Sequence, residues 1–242
     1  ILIQQPLSSL KLEITAKNDA KCHGTSTGDI HVKATGGWGK YQFGVYGKII
    51  GTDTIISNIK SKSYQDTLFV VDSMNVREEM LFSIGQPDAL VTSIDKITNL
   101  KCFEDNSGSI QVGISGGTVP YQLSKDSIIW QSNNILSSLN AGNYKIYVKD
   151  KNDCKVTTTA LVQQPTKVQI TGFSTKKTTC NRNDGYIMAA VKGGTIWGDY
   201  SYQWELIDSA KSLDNPSQNL FNIYSGLYRL TITDKNYCTA ND

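Results

Sequence analysis

Cysteine and histidine are the residues of this chain with the widest chemistry, and five cysteines and two histidines occur among 242 residues. No two cysteines form a Cys-x-x-Cys pair, so the usual spacing of a zinc site is missing. His23 follows Cys22, and His31 stands between two apolar residues, where a strand would turn it to solvent. Serine-hydrolase, zinc-protease, P-loop and dinucleotide-binding motifs do not occur. We predict no catalytic residue, no metal ligand and no cofactor, and therefore not an enzyme.

Two short acidic segments, at residues 150–153 and 234–236, could offer oxygen ligands to a calcium ion. Aspartate and asparagine are also common in hairpin turns, where their side chains accept hydrogen bonds from nearby backbone N–H groups. We favour such turns over a calcium site.

The composition argues against two further classes of function. Twenty-four basic residues are balanced by 22 acidic ones, and a net charge of +2 gives no reason to expect a nucleic acid partner. No apolar run reaches the ~18 residues that span a bilayer, so we predict no membrane insertion. The chain does not start with a basic and apolar leader, and we expect a mature protein or an internal fragment.

The chain repeats itself with a period of about 80 residues. The same order of features recurs three times: a proline, a cysteine, a pair of glycines and an aromatic residue. The prolines are Pro6, Pro87 and Pro165. The cysteines are Cys22, Cys102 and Cys180. The glycine pairs are Gly36-Gly37, Gly116-Gly117 and Gly193-Gly194, which we interpret as tight turns or bulges with positive φ. The aromatic positions are Tyr41, Tyr121 and Tyr202.

The second half of the repeat is clearest in the last two copies. Residues 139–154 align without a gap to residues 223–238, and the two segments end in Cys154 and Cys238. The first copy has Val76 in place of this cysteine. The predicted domains are residues 1–6 as the last strand of an upstream repeat, 7–87 as repeat 1, 88–165 as repeat 2 and 166–242 as repeat 3 without its last strand.

Apolar residues alternate with polar ones inside each repeat, which predicts strands with one buried face. Ile110, Val112 and Ile114 share one face of such a strand. Gly, Asn, Asp and Ser clusters separate the runs at turn-like spacing. We predict an all-β chain, a tandem array of Ig-like β-sandwich repeats. A β-propeller or a solenoid is the alternative, but three units do not close a propeller and the repeat is long for a solenoid.

The cysteines at matching places in repeats 2 and 3 suggest one disulfide inside each repeat. We predict the pairs Cys102–Cys154 and Cys180–Cys238. Because Val76 replaces the second cysteine of repeat 1, Cys22 has no partner within its repeat and is either free or paired with a cysteine outside this segment. The alternative is five buried reduced thiols. Disulfides would imply a secreted or cell-surface protein.

Two tryptophans, Trp38 and Trp197, follow glycine pairs in loops at one end of their repeats. Exposed there, they could contact a ligand such as a sugar or a surface. Packing against the neighbouring repeat is the interpretation we favour.

These motifs together resemble the SprB-type repeat of Bacteroidota surface proteins. That repeat has a cysteine, then Gly-Ser-Ile-x-Val, Gly-Gly-Thr-x-Pro-Tyr, Leu-x-x-Gly-x-Tyr and Asp-x-x-Gly/Asn-x-Cys. Repeat 2 carries it nearly whole: Cys102, Gly108–Val112, Gly116–Tyr121, Leu139–Tyr144 and Asp150–Cys154. Repeat 3 matches apart from an insertion at residues 197–199, and repeat 1 departs most.

The resemblance implies a function outside the cell. Such repeats build very large adhesins that are exported by the type IX secretion system, and the name-giving member is a gliding-motility adhesin. Bacteroidota also O-glycosylate the Ser or Thr of Asp-Ser/Thr-apolar tripeptides. The candidate acceptors here are Thr54, Thr67, Ser73, Ser127 and Ser209. The alternative is that Asp-Ser and Asp-Thr are simply good turn formers.

We therefore expect a repeat segment of a large secreted adhesin that extends the protein from the cell and supports attachment and gliding. Its expected partners are an extracellular surface or polysaccharide, neighbouring repeats, and the secretion and gliding machinery through other regions. We expect it at the cell surface or secreted, with an outer-membrane anchor elsewhere in the protein. The alternatives are a glycan- or ligand-binding module and a non-catalytic spacer of a secreted hydrolase.

Overall fold

A computed structural model describes residues 3–180, 182–195, 200–209, 211–213 and 215–242, and the side chains of residues 209, 211 and 212 are not described. In this part of the chain the fold is all-β, as predicted, with one 3-10 turn at Ile207–Ser209. No helix in the described ranges is long and apolar enough to cross a membrane.

Seven strands fall in repeat 1 and form two sheets. They are β1 (Lys11–Asn18), β2 (Gly28–Thr35), β3 (Gln42–Val45), β4 (Lys48–Gly51), β5 (Ile55–Ile59), β6 (Asp66–Val71) and β7 (Arg77–Phe82). One sheet has the order β1-β2-β5 and the other β4-β3-β6-β7. The core includes Ile30 and Val32 from the first sheet and Phe43, Leu68 and Val70 from the second. Apolar alternation along β2 thus turns one face inward, as the sequence predicts.

Six strands fall in repeat 2. They are β8 (Val91–Thr98), β9 (Gly108–Ser115), β10 (Gln122–Ser124), β11 (Ile135–Leu139), β12 (Gly142–Lys149) and β13 (Lys155–Val162). They form the sheets β11-β9-β8 and β10-β12-β13. Alternation places Ile110, Val112, Ile146 and Val148 among the fully buried residues.

Seven strands fall in repeat 3. They are β14 (Thr166–Lys176), β15 (Gly185–Gly194), β16 (Ser201–Leu206), β17 (Lys211–Leu213), β18 (Asn219–Ile223), β19 (Tyr228–Thr233) and β20 (Thr239–Asn241). Their sheets are β14-β15-β18 and β17-β16-β19-β20. The core between them contains Val168 and Ala189 from one sheet and Trp204, Leu230 and Ile232 from the other.

The chain divides into two compact units that do not follow the predicted repeat borders. The first consists of Ile1–Ser93, Ile114–Ser132 and Tyr147–Thr157, and the second of Ile94–Gly113, Asn133–Ile146 and Thr158–Asp242. Repeat 1 therefore lies in the first unit and repeat 3 in the second, while repeat 2 contributes segments to both. The predicted ends of repeat 1 at residue 87 and of repeat 2 at residue 165 therefore remain predictions.

Each glycine pair has positive φ at both residues, as predicted. A Cβ atom on Gly36, Gly116 or Gly193 would lie 1.9 Å from a backbone oxygen of the strand-entry segment beside it. A Cβ on Gly37 would lie 2.7 Å from the carboxylate of Asp72, with the same closeness in the other repeats. The second glycine of each pair thus leaves room for the carboxylate of an aspartate.

A tyrosine hydroxyl closes each of these turns. It donates a hydrogen bond to the carbonyl of the first glycine, from Tyr41 at 2.7 Å in repeat 1 and from Tyr121 at 2.6 Å in repeat 2. In repeat 3 the donor is Tyr200, at 2.5 Å from Gly193 O. The predicted equivalence of Tyr202 is therefore wrong by two residues, because the longer loop after the glycine pair moves the aromatic position along the chain.

Candidate functional site

The cysteines join neighbouring repeats, which corrects the predicted pairing. Cys22 is bonded to Cys154, and Cys102 to Cys238, with Cα–Cα distances of 5.7 and 5.6 Å. The predicted pairs Cys102–Cys154 and Cys180–Cys238 do not form. Cys22, predicted to have no partner within this segment, is bonded to one, whereas Cys180 is free and exposed. Each bond joins the first cysteine of one repeat to the second cysteine of the next.

Repeat 3 gives the physical reason why the pairing inside a repeat fails. Cys180 lies before β15, whereas Thr195 directly follows that strand and its N–H donates to Asp234. The turn from Asp234 to Cys238 is therefore at the far end of β15 from Cys180. Ten residues of strand span roughly 30 Å, far more than the ~6 Å between the Cα atoms of a disulfide.

A buried aspartate organises the turn that carries the second cysteine. In repeat 2, Asp150 Oδ1 accepts hydrogen bonds from the N–H groups of Asn152, at 2.8 Å, and Cys154, at 2.9 Å. Its Oδ2 accepts the N–H of Thr118, at 2.9 Å, from the loop after the glycine pair. Because the carboxylate holds both ends of the turn, the cysteine and the asparagine project in defined directions.

The corresponding turn of repeat 3 has the same geometry. Asp234 Oδ1 accepts from Asn236 and Cys238, both at 2.9 Å, and Oδ2 accepts from Thr195 at 2.9 Å. These carboxylate oxygens face backbone N–H groups, as the hairpin interpretation expects. Within the described ranges, no group of three or more His, Cys, Asp or Glu residues is arranged to hold a metal ion.

The asparagine of each turn reaches the preceding repeat. Asn152 Nδ2 donates to the carbonyl of Lys21, at 2.9 Å, and to Thr118 Oγ1, at 3.1 Å. Lys21 directly precedes Cys22, so this hydrogen bond lies beside the disulfide. We call Lys21, Cys22, Asn152 and Cys154 junction 1.

Junction 2 repeats this arrangement one repeat further on, and we define it as Lys101, Cys102, Asn236 and Cys238. Asn236 Nδ2 donates to the carbonyl of Lys101 and to Thr195 Oγ1, both at 3.0 Å. Two independent copies of one arrangement in a single chain indicate a specific contact between repeats.

The loop with the first cysteine is held in place by its own repeat. The N–H of Lys21 donates to Thr27 Oγ1, and that of Lys101 to Ser107 Oγ, both at 2.8 Å. The linker to the next repeat also contacts this loop, since Gln86 Oε1 accepts the N–H of Gly24 at 2.7 Å. In repeat 2 the N–H of Glu104 donates likewise to Gln164, at 2.8 Å. The carbonyl that the asparagine binds is therefore preformed.

Repeat 1 keeps the aspartate of the turn but not the side chains that make a junction. Asp72 accepts the N–H groups of Trp38, Met74 and Val76 at 2.9–3.0 Å. The backbone N–H of Trp38, together with those of Val76 and Met74, lowers the pKa of Asp72 from its usual value. Thr, Asn and Cys of the other repeats are thus replaced by Trp38, Met74 and Val76, which are 38%, 63% and 47% exposed.

Of the two tryptophans that could contact a ligand, the structure describes one. Trp38 lies in the turn beside Asp72 and is partly exposed, and its carbonyl accepts the hydroxyl of Ser73 at 3.2 Å. Trp197 lies outside the described residues. A contact of either one with a sugar stays a prediction.

The five predicted glycosylation acceptors occupy different surroundings. Thr54, Ser73 and Ser127 are exposed in loops, whereas Thr67 is half-buried within β6. Ser209 ends the 3-10 turn, and its side chain lies outside the described part. The three exposed hydroxyls offer the most room for a sugar, and modification itself stays a prediction.

Sequence reasoning missed the asparagine and the threonine of each junction. A signal for them exists, because repeat 1 loses threonine, asparagine and cysteine together at Trp38, Met74 and Val76. Residues that disappear together are candidates for one shared contact.

The family comparison supports the resemblance found in the sequence. Residues 14–47, in repeat 1, and 94–123, in repeat 2, match the family model described as SprB repeat. These two segments are therefore similar to SprB repeats. No curated protein matches the chain.

Three solved structures show a weak similarity to this chain. Domains 3–5 of Drosophila OTK are 11% identical over 99% of this chain and 98% of that one, with a TM-score of 0.28. A chain in the complex of Dpr2 Ig1-Ig2 with DIP-Theta Ig1-Ig3 is 9% identical over 97% and 98%, with a TM-score of 0.32. Cadherin domains 1–5 of protocadherin gamma B2 are 10% identical over 98% and 59%, with a TM-score of 0.25. At these scores nothing about function follows from the similarity.

Proposed function

We propose that this chain is a repeat segment of a large secreted cell-surface adhesin, which extends the protein from the cell and supports attachment and gliding motility. The observation that carries the proposal is the pair of disulfides between consecutive repeats. A segment that transmits force must keep its repeats together under load, and covalent junctions serve that purpose. Disulfides of this kind persist in oxidising surroundings outside the cytoplasm.

The overlap of the two disulfide loops supports a mechanical role. The loop closed by Cys22 and Cys154 and the loop closed by Cys102 and Cys238 share residues 102–154. A pull on the two ends of the chain is therefore carried across repeat 2 by short covalent paths. Most of the polypeptide is shielded from full extension.

The family resemblance supports the finer parts of the proposal. Export by type IX secretion, an origin in Bacteroidota and an outer-membrane anchor outside this segment are properties of proteins with SprB-type repeats. The expected partners are an extracellular surface or polysaccharide and the gliding machinery. O-glycosylation at the exposed Thr54, Ser73 and Ser127 would suit the same location.

Imaging of living cells tests the proposal directly. A fluorescent antibody fragment against this segment is applied to intact cells of the organism that produces it. We expect labelled foci that travel along the cell surface. Static labelling would contradict the gliding role and leave passive adhesion, and unlabelled intact cells would refute surface display.

A ligand-binding module is the second candidate, because Trp38 is partly exposed in a turn where the other repeats have threonine. The substitution Trp38→Ala should abolish binding to immobilised polysaccharide without lowering the melting temperature if this candidate is correct. A lower melting temperature with unchanged binding would assign Trp38 to packing. A hydrolase spacer would require catalytic sequence elsewhere in the same protein.

A further inference from the structure

We infer that the surface of repeat 3 around Cys180 binds a further SprB-type repeat through the latter's Asp-x-Asn-x-Cys turn, forming a third junction. The inference rests on the geometry of junctions 1 and 2 and not on where the protein acts. Its failure would leave the proposed adhesin function untouched.

The loop of Cys180 has the features of the two loops that form junctions. In all three repeats the residue before the cysteine donates its N–H to a side-chain oxygen just before the glycine that starts the next strand. In repeat 3 this bond runs from Thr179 to Asp184 Oδ1, at 2.8 Å. The hydroxyl of Thr179 adds a second bond, to Asp184 Oδ2 at 3.1 Å. The described ends of this loop are therefore held by the same kind of hydrogen bond as in the other two repeats.

The two groups that a partner would use are present on this loop. Cys180 is exposed and free, whereas Cys22 and Cys102 at its position are bonded. The carbonyl of Thr179 corresponds to those of Lys21 and Lys101, which accept the asparagine. It accepts the N–H of Arg182 at 3.1 Å, and a carbonyl has a second lone pair for another donor.

A cleft lies next to this loop, at the place where the repeat's own last strand ends in the other two copies. It has a volume of about 420 Å³ and is lined by Thr178, Gly185, Tyr186, Ile187 and Ile223, among others. Gly28 in repeat 1 and Gly108 in repeat 2 correspond to Gly185 in repeat 3. A Cβ on Gly28 would lie 2.5 Å from Ile84, and one on Gly108 would lie 2.8 Å from Val162.

In repeats 1 and 2 an aliphatic side chain from the end of the repeat's own last strand thus lies against this glycine, since Val162 is the last residue of β13 and Ile84 follows β7 by two residues. The chain then continues into Gln86-Pro87 and Gln164-Pro165. The cleft of repeat 3 therefore corresponds to the place of a strand end, and the third junction rests on the Cys180 loop alone.

The occupant must carry the turn that repeat 1 lacks. Within this chain, both cysteines of Asp-x-Asn-x-Cys turns, Cys154 and Cys238, are already bonded. A second copy of the chain offers Met74 and Val76 instead of asparagine and cysteine. A repeat with the intact turn is the matching partner, and an unmodified second copy is not.

Formation of a disulfide at this third junction needs a two-electron oxidant, such as oxidised glutathione. One thiol, as thiolate, attacks the oxidant and releases one reduced glutathione. The second thiolate attacks the mixed disulfide and releases the other. Two thiols thus lose two electrons and two protons, and one S–S bond forms.

A donor made from the chain itself tests the inference. The variant Met74→Asn/Val76→Cys/Cys180→Ser carries the restored turn and lacks the acceptor cysteine, and it is mixed with tagged wild-type chain in a glutathione redox buffer. We expect a covalent heterodimer on non-reducing gels. Peptide mapping should show position 76 of the donor joined to Cys180 of the acceptor, with both native disulfides retained.

Two matched donors separate docking from simple thiol reactivity. The donor Val76→Cys/Cys180→Ser lacks the asparagine, and we expect it to react about tenfold more slowly, the effect of one lost hydrogen bond. The donor Ile128→Cys/Cys180→Ser presents its thiol at a site that is 79% exposed, and we expect it to be the slowest of the three. Equal rates for all donors, or wild-type dimers through Cys180 alone, would overturn the inference.

A peptide keeps the test valid if the donor variants do not fold. A peptide of residues 234–241 is mixed with the wild-type chain, and its Asn236→Ala form is the control. Faster mixed disulfide formation with Cys180 by the native peptide would support the inference, and equal rates would refute it.

Discussion

The turn at residues 72–76 and the turn at residues 150–154 hold their aspartates alike but differ in the side chains that make a junction. Asp72 and Asp150 each accept three backbone N–H groups. Only the second turn has the asparagine and the cysteine that bind the preceding repeat. The comparison teaches that folding of a repeat and its attachment to a neighbour use separate residues. One can change while the other is kept.

The largest expected effect concerns the whole chain under force. Pulled from its ends, the oxidised chain should reach a contour length of about 80 residues, roughly 280 Å, because the shortest covalent path from one end to the other passes through both disulfides. The reduced chain should reach the length of all 242 residues, roughly 850 Å. Single-molecule force spectroscopy measures both lengths. An oxidised length of about 130 residues would instead indicate the pairing inside repeats.

The glycine pair is needed for a repeat to fold and not for its attachment to a neighbour. Its loss should therefore lower the free energy of unfolding by the same amount in repeats 1 and 2. We expect Gly36→Ala and Gly116→Ala each to lower the free energy of unfolding by about 3–4 kcal/mol, since a Cβ would meet a backbone oxygen at 1.9 Å. Gly24→Ala is the control, because Gly24 also has positive φ but nothing within 4 Å. It should cost about 1 kcal/mol. Denaturant unfolding measures all three, and equal costs would argue against the close contact.

The junction asparagine should separate the two turns. Asn152→Ala removes two hydrogen bonds beside the disulfide and should destabilise the region by about 1–2 kcal/mol. Met74→Ala, at the same place in repeat 1, should change little because that side chain is 63% exposed. Hydrogen exchange of the Lys21 and Asn152 segments provides the measurement. If both substitutions had the same effect, the two turns would not differ as described.

The smallest expected effect is a pH dependence at Asp72. Backbone N–H groups lower its pKa in the folded state, first among them that of Trp38. A lowered pKa stabilises the fold above the unfolded value of about 3.9 and loses this contribution as pH falls from there through the folded pKa. The stability difference between wild type and Asp72→Asn should therefore be constant near neutral pH and shrink below about pH 4. A difference that grows in acid would contradict the assignment.

Periodicity and composition were sufficient to predict the class of fold. Alternation in segments such as Ile110–Ile114 predicts strands, and the glycine pairs with their positive φ follow from local sterics. The interpretation of Asp150 as the centre of a turn also depends on nearby backbone groups only. Such features are predictable because the residues that decide them are neighbours in sequence.

The register of repeat 3 and the junctions could not be predicted in this way. Tyr200 and not Tyr202 closes the turn of Gly193, because an insertion shifts the count of residues without changing the contact. Asn152 and Asn236 resemble ordinary turn residues until their partners in the preceding repeat are known.

Periodicity alone predicts a tandem β-repeat with cysteines at two fixed places in the unit. Which cysteines form disulfides depends on how the repeats fold and pack. Equal spacing is compatible with a bond inside a repeat and with a bond to the next, and position along the chain does not distinguish them. The strand between the two cysteine loops places them at opposite ends of one repeat, so each loop can reach only a neighbour. Distance in the fold, and not distance in the sequence, chose Cys22–Cys154 and Cys102–Cys238 and left Cys180 free.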